Sequence, residues 1–306
     1  MFTTPVLLII FNRPVQTAKV LEALAQIKPA VLYVAADGPR ADRQTDAELC
    51  AKTRKLIDEM VTWDCKIERL FRDKNLGCGK AVSESITWFF DHNESGIILE
   101  DDCIPDPSFF PFCAELLNKY KDKEEVMHIG GTNFQQGNVR GEGSYYFSSE
   151  VHVWGWASWS RAWKKYDYDM KALSQFEKEK KILPYYKDKI SVNFWLKIFN
   201  RMRLHEIDTW DYQWRFSIWN SGGLTIIPQK NLVTNIGFGT DATHTFEGGA
   251  YENMKSYSIA FPLQHSSFVT RNEEADYFTF DQHYKPEIEH TPLVKKVISK
   301  LKRLLR

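Results

Sequence analysis

The sequence predicts an α/β fold built on a mostly parallel mixed sheet flanked by helices. Two observations carry this. Through the first hundred residues, β-type apolar runs alternate with stretches of helical periodicity, and three of the runs end in polar signatures. The run Val6 to Phe11 is continuous and apolar, and Asn12-Arg13-Pro14 breaks it. Beyond it, Val20, Leu21, Leu24 and Ile27 fall at helical spacing between Val15 and Ile27. A second strand, Val31 to Val34, ends at Asp37-Gly38-Pro39, and a polar helix follows from Thr45 to Met60. Lys66 to Phe71 reads as a third strand and Gly79 to Phe90 as a helix. Ile97-Ile98-Leu99 is a fourth strand, ended by Glu100-Asp101-Asp102. In sheets of this kind ligands bind outside the carboxyl ends of the strands, which is where the polar signatures fall.

Forty acids balance forty bases, so charge gives no reason to expect a nucleic-acid partner. The five cysteines form no C-x-x-C pair, which argues against a disulfide framework or a zinc site and suits a reducing compartment. With no basic leader before the short run at Val6, the expectation is a cytoplasmic body. No Gly/Ser/Pro-rich linker interrupts the chain. One domain is therefore expected over 1–288, with a first half at 1–130, a second at 131–288, and a separate tail at 289–306. Eight of the ten tryptophans lie between residues 145 and 220, a density that serves equally as a ligand platform or as core.

The chemistry centres on Glu100-Asp101-Asp102. Adjacent carboxylates at a strand end are costly unless a cation or donors neutralise them, and Mg²⁺ or Mn²⁺ completed by phosphate oxygens and water fits. A solvated acidic turn would use the same residues. Arg13, beside Asn12, offers a planar fork of donors to a pyrimidine edge or a phosphate. Asp37, before Gly38, is placed to accept from a base N–H or a ribose hydroxyl, although Asp-Gly is also an ordinary turn. The turn Asn75 to Lys80 offers N–H groups and Lys80 to a diphosphate but lacks the P-loop spacing. Asp211, set among aromatics in Thr209 to Arg215, suits a general base, or else pairs with Arg215 or caps a helix. The loop Asn235 to His244 is glycine-rich, with His244 as a phosphate or metal contact. In the tail, apolar residues at 294, 297, 298, 301, 304 and 305 share one helical face with the cations opposite. Such a basic amphipathic helix lies on an anionic bilayer surface or docks on the protein itself.

In this order the motifs over residues 5–250 resemble those of GT-A fold glycosyltransferases. The likeness is to inverting enzymes of the N-acetylglucosaminyltransferase I type and to bacterial polysaccharide sugar transferases. The resemblance implies that Arg13 contacts the nucleotide, Asp37 the uracil, and Asp102 a Mn²⁺ ion as the last acid of a "DXD" motif. Asp101 is then expected at the ribose or a metal-bound water, Glu100 at the donor sugar or in a structural role, and Asp211 as catalytic base. The stretch from Val153 to Trp159, with Trp154, takes the place of the donor-sugar and acceptor loop. The acceptor is expected to be a saccharide or lipid-linked glycan, presented at the inner face of the cell membrane where the basic tail would keep the enzyme. Two other classes use the same features: a nucleotidyltransferase, disfavoured because Phe11 to Pro14 replaces a G-x-G-T-R turn, and a non-catalytic carbohydrate- or membrane-binding protein.

Overall fold

The structure is a computed structural model that describes residues 1–238 and 254–285. His244 and the tail 289–306 lie outside the described residues. The elements follow in chain order: β1 (Val6–Ile10), α1 (Pro14–Ile27), β2 (Val31–Ala36), α2 (Asp46–Met60), β3 (Lys66–Phe71), α3 (Gly77–His92), β4 (Ser95–Glu100), β5 (Cys103–Pro105) and α4 (Phe109–Lys119). The second half holds β6 (Val126–Gly130), β7 (Tyr145–Ser148), β8 (Trp156–Trp159), α5 (Ser160–Trp163), α6 (Leu173–Lys178), α7 (Lys189–Arg203), α8 (Asp211–Asn220), β9 (Leu224–Pro228), β10 (Val233–Asn235) and α9 (Glu273–Thr279). The fold is the α/β class the sequence predicts.

Eight strands form one mixed sheet in the order β3-β2-β1-β4-β8-β6-β9-β7. The pairings β3·β2, β2·β1, β1·β4 and β6·β9 are parallel, and the other three are antiparallel. The chain moves outward from β1 through β2 to β3, then returns to place β4 on the other side of β1. This reversal opens a crevice at the carboxyl ends of β1 and β4. The burial follows the pleat. Val6, Leu8 and Ile10 join one apolar cluster with α1 and α4, while Leu7 and Ile9 join another with α3, α7 and α8. Both faces are thus covered, which explains why β1 reads as an unbroken apolar run.

Helix α1 begins with Pro14 at its first turn, where a missing N–H costs nothing. The helix predicted over 79–90 starts two residues earlier, at Gly77. The tryptophan-rich segment is mostly core: Trp156, Trp195, Trp214 and Trp219 are fully buried. After α9 the chain makes a π-helical turn, Phe280–Tyr284. This C-terminal segment is locked by Asp276, which accepts from Ser149 Oγ (2.6 Å) and Arg271 Nη1 (3.1 Å). Among the described residues no helix is long and apolar enough to cross a membrane.

Candidate active site

At the crevice, β1 delivers Phe11 and Arg13 and β4 delivers the acid triplet. Arg13 Nη1 donates to Asp102 Oδ2 at 2.9 Å and lies 3.6 Å from Asp101 Oδ1. Asp101 Oδ2 also accepts from the Phe11 amide at 3.1 Å, so the two strand exits are tied together. On the other side, antiparallel pairing of β10 with β5 brings the loop after Asn235 against the triplet. Asn235 Nδ2 reaches Asp102 Oδ1 at 3.4 Å. At Gly237 a Cβ would sit 2.0 Å from Asp102 Oδ2, so only glycine lets the backbone pass this carboxylate. The glycine-rich loop therefore departs directly from the acid triplet.

The charges are crowded. Burial, then the neighbouring Asp102 and Asp101, then Asp211, push the Glu100 carboxyl well above its ordinary range. Burial and Asp102 push Asp101 up to about 7. Arg13 opposes both shifts; burial works against its own charge, but Asp101, Asp102 and Glu100 outweigh this and raise its affinity for the proton. Among the described residues Arg13 is the cation paired with Asp101 and Asp102, and protons or an added cation would relieve the remaining repulsion.

A cleft of about 220 Å³ opens at this point, lined by Phe11, Arg13, Asp37, Asn75, Cys78, Glu100, Asp101 and Asp208 among others. Asp37 reaches it, but its oxygens accept from the Leu76 amide (3.0 Å) and Asn75 Nδ2 (2.8 Å) and from the Gly38 amide (2.9 Å). Burial raises its affinity for a proton, and the Leu76 and Gly38 amides counter this. Asp37 is thus a brace for the 75–77 turn. Gly38 allows the backbone of Lys74 to approach, since a Cβ there would lie 2.4 Å from the Lys74 carbonyl carbon. The Asn12 side chain donates to Asp46 Oδ1 at 2.9 Å and does not line the cleft; Arg40 Nε holds the other oxygen at 2.6 Å. Lys80 is exposed on α3, also outside the lining.

The N-terminus of α3, which the sequence offers to a diphosphate, holds an internal anion. Asp208 accepts from the amides of Cys78 (2.9 Å) and Gly79 (2.8 Å). Nothing local in the sequence signals this pair, because the partners are some 130 residues apart. Three residues on, Asp211 opens α8, and its Oδ1 accepts from Thr209 Oγ1 at 2.5 Å. Arg215 does not pair with it; that guanidinium holds Glu150 at 2.8 Å in the core. The charge of Asp211 adds to the upward push on Glu100, after burial, Asp102 and Asp101, although Asp211 does not line the cleft. Trp154 lies with Asp211 on a second cavity and packs edge-on against Phe238.

Asp102 offers one carboxylate, and among the described residues no group of three His, Cys, Asp or Glu is placed to hold a metal ion. A divalent ion here fits only with phosphate oxygens and water completing its shell.

No family model and no curated protein matches the sequence. Several solved structures are similar to this chain at low identity. One is TarS of S. aureus (residues 1–349), at 10% identity and TM-score 0.41 over 76% of this chain and 59% of that one. Another is GalNAc-T7 with UDP, GalNAc and Mn²⁺, at 11% identity and TM-score 0.44 over 74% of this chain and 42% of that one. A third is an apo UDP-glucose pyrophosphorylase, at 10% identity and TM-score 0.36 over 76% and 93%. The chain spans only about three-fifths of the TarS fragment and less of GalNAc-T7. At these distances its function has to be read from its own residues.

Proposed function

We propose that this chain is an inverting, divalent-metal-dependent GT-A glycosyltransferase. It would move a sugar from a nucleoside-diphosphate sugar, uridine-linked, to a saccharide or lipid-linked acceptor. The observation that carries the reading is the acid triplet at the end of β4, held against Arg13 at the strand-order reversal, with the charge of Asp211 acting on it. The half over 1–130 would bind the donor and the half over 131–288 the acceptor. The tail 289–306 would hold the enzyme at the inner face of the membrane.

In this mechanism the cleft takes the nucleotide, and Arg13 meets the negative charge of the diphosphate. Asp102 is the protein ligand for Mn²⁺ or Mg²⁺, which when bound neutralises charge on the leaving diphosphate. Asp211, oriented by Thr209, accepts the proton of the acceptor hydroxyl. The hydroxyl oxygen bonds to the anomeric carbon as the bond to phosphate breaks, inverting the configuration.

The test is a thermal-shift panel of UDP-, GDP-, CMP- and dTDP-sugars with and without Mn²⁺, followed by donor hydrolysis. One donor with Mn²⁺ should raise Tm, since ligand at a hundred times Kd adds about 2.7 kcal/mol. Asp102→Asn should abolish the Mn²⁺-dependent part. Absence of any shift and of any hydrolysis sinks the reading. Release of pyrophosphate from a nucleoside triphosphate and a sugar 1-phosphate would establish the nucleotidyltransferase instead.

A further inference from the structure

The charge of Asp211 acts on Glu100, yet its side chain lines a separate cavity of about 100 Å³ with His152, Trp154 and His283. This cavity shares no lining residue with the donor cleft.

His152 is the feature that asks for a ligand. It is 4% exposed, and among the described residues neither ring nitrogen has a hydrogen-bond partner. The residue lines the cavity. Its backbone is fixed from below. The Trp214 indole N–H donates to His128 Nδ1 at 3.2 Å, which obliges His128 Nε2 to carry a proton and donate to the His152 carbonyl at 3.0 Å. The His152 ring is held edge-on to Phe134 at 4.5 Å. Burial, then the charge of Arg215, keeps this imidazole far below its ordinary pKa, so it is neutral. A neutral imidazole offers one N–H donor and one lone pair, the complement of a hydroxyl group. Buried polar groups of this kind are ordinarily satisfied, so the open pair points to a ligand.

The cavity, about 100 Å³ and partly open, admits a polar substituent. Its wall includes Trp154, a partly accessible indole packed edge-on against Phe134 at 5.2 Å and Phe238 at 5.6 Å. The π-helical turn places His283 and Tyr284 in the same lining, and such turns recur at functional sites.

We propose that this cavity is the acceptor subsite, taking a hydroxyl or hydroxymethyl substituent of a pyranose whose ring lies against Trp154. His152 reads that substituent, and the neighbouring ring hydroxyl is presented to Asp211. The assignment rests on the glycosyltransferase reading for the role of Asp211, but the cavity and its imidazole can be tested without turnover.

The experiment uses the full chain and four probes: the methyl glycosides of glucose, galactose, mannose and N-acetylglucosamine. Binding is measured by saturation-transfer NMR, with UDP and Mn²⁺ binding followed in parallel by thermal shift. At least one glycoside should bind the wild type. His152→Leu should weaken it tenfold or more with the UDP response unchanged, and His152→Gln, which keeps a donor and an acceptor, should recover part of the loss. Trp154→Ala is the second variant, should the Leu substitution fail to fold, and should weaken the same glycoside. Equal binding by wild type and the variants overturns the proposal. So does the absence of glycoside binding in a protein that still binds UDP, and this leaves the donor reading standing. His152-dependent glycoside binding without nucleotide binding keeps the cavity and removes the transferase.

Discussion

Replacing Asp101 with Asn should stabilise the protein at alkaline pH, and the size of the gain follows from the crowding at the end of β4. Asp101 is 6% exposed, with one oxygen accepting from the Phe11 amide and the other 3.6 Å from Arg13. Burial and the adjacent Asp102 raise its carboxyl from an ordinary 3.8 to about 7, a difference corresponding to about 4 kcal/mol. The sign follows from linkage. Well below pH 4 the carboxyl is protonated in both folded and unfolded chains and costs nothing. As pH rises towards 7 the unfolded chain ionises first, so stability is lost across that interval and the full cost is present above pH 7. Asparagine removes this dependence but places an amide toward Arg13, so the net gain at pH 8 should be about 1 to 3 kcal/mol. Urea denaturation of both proteins at pH 4.5 and pH 8 measures the difference. A variant less stable than the wild type at pH 8, or a difference that does not change between the two pH values, would refute the reasoning.

Gly237→Ala puts a methyl group where Asp102 lies and should displace this carboxylate from Arg13. Donor hydrolysis is then expected to fall by up to about a hundredfold, with thermal unfolding little changed. Arg215→Met strands the buried Glu150 and should cost about 3–5 kcal/mol in chemical denaturation; the double variant with Glu150→Gln should recover much of it. Asp208→Asn weakens the two amide bonds at the start of α3 and should cost about 1–2 kcal/mol by the same measurement.

Strands β1, β2 and β4 were legible because burial on both faces writes them as apolar runs, which glycine, proline and acids punctuate, whereas the edge strand β3 has no fully buried residue. The antiparallel β8 was not. Its four residues are all buried, and two of them are tryptophans, so it has no alternation to distinguish it from an aromatic loop. Side-chain direction was also beyond the sequence. Asn12 and Asp37 stand at the right strand ends, yet Asp46 engages the first, and Asn75 with the Leu76 amide engages the second. Lys80 falls on the outer side of α3 while Gly79, Val82, Ser83 and Ile86 pack inward. The link from Asp208 to α3, and the open imidazole of His152, join residues far apart in the chain. No local pattern records such contacts.

The tryptophan-rich core has a consequence for how unfolding can be watched. Eight of the ten indoles lie between residues 145 and 220, while Trp63 and Trp88 are the pair in the first half. Intrinsic fluorescence therefore reports chiefly on the second half, whereas far-ultraviolet dichroism weights the helices of both. If the halves melt as one cooperative unit, the two signals will superimpose along a denaturant titration. If the β1–β4 region opens first, dichroism will move before the emission does, and the native chain will supply both readings without an added label.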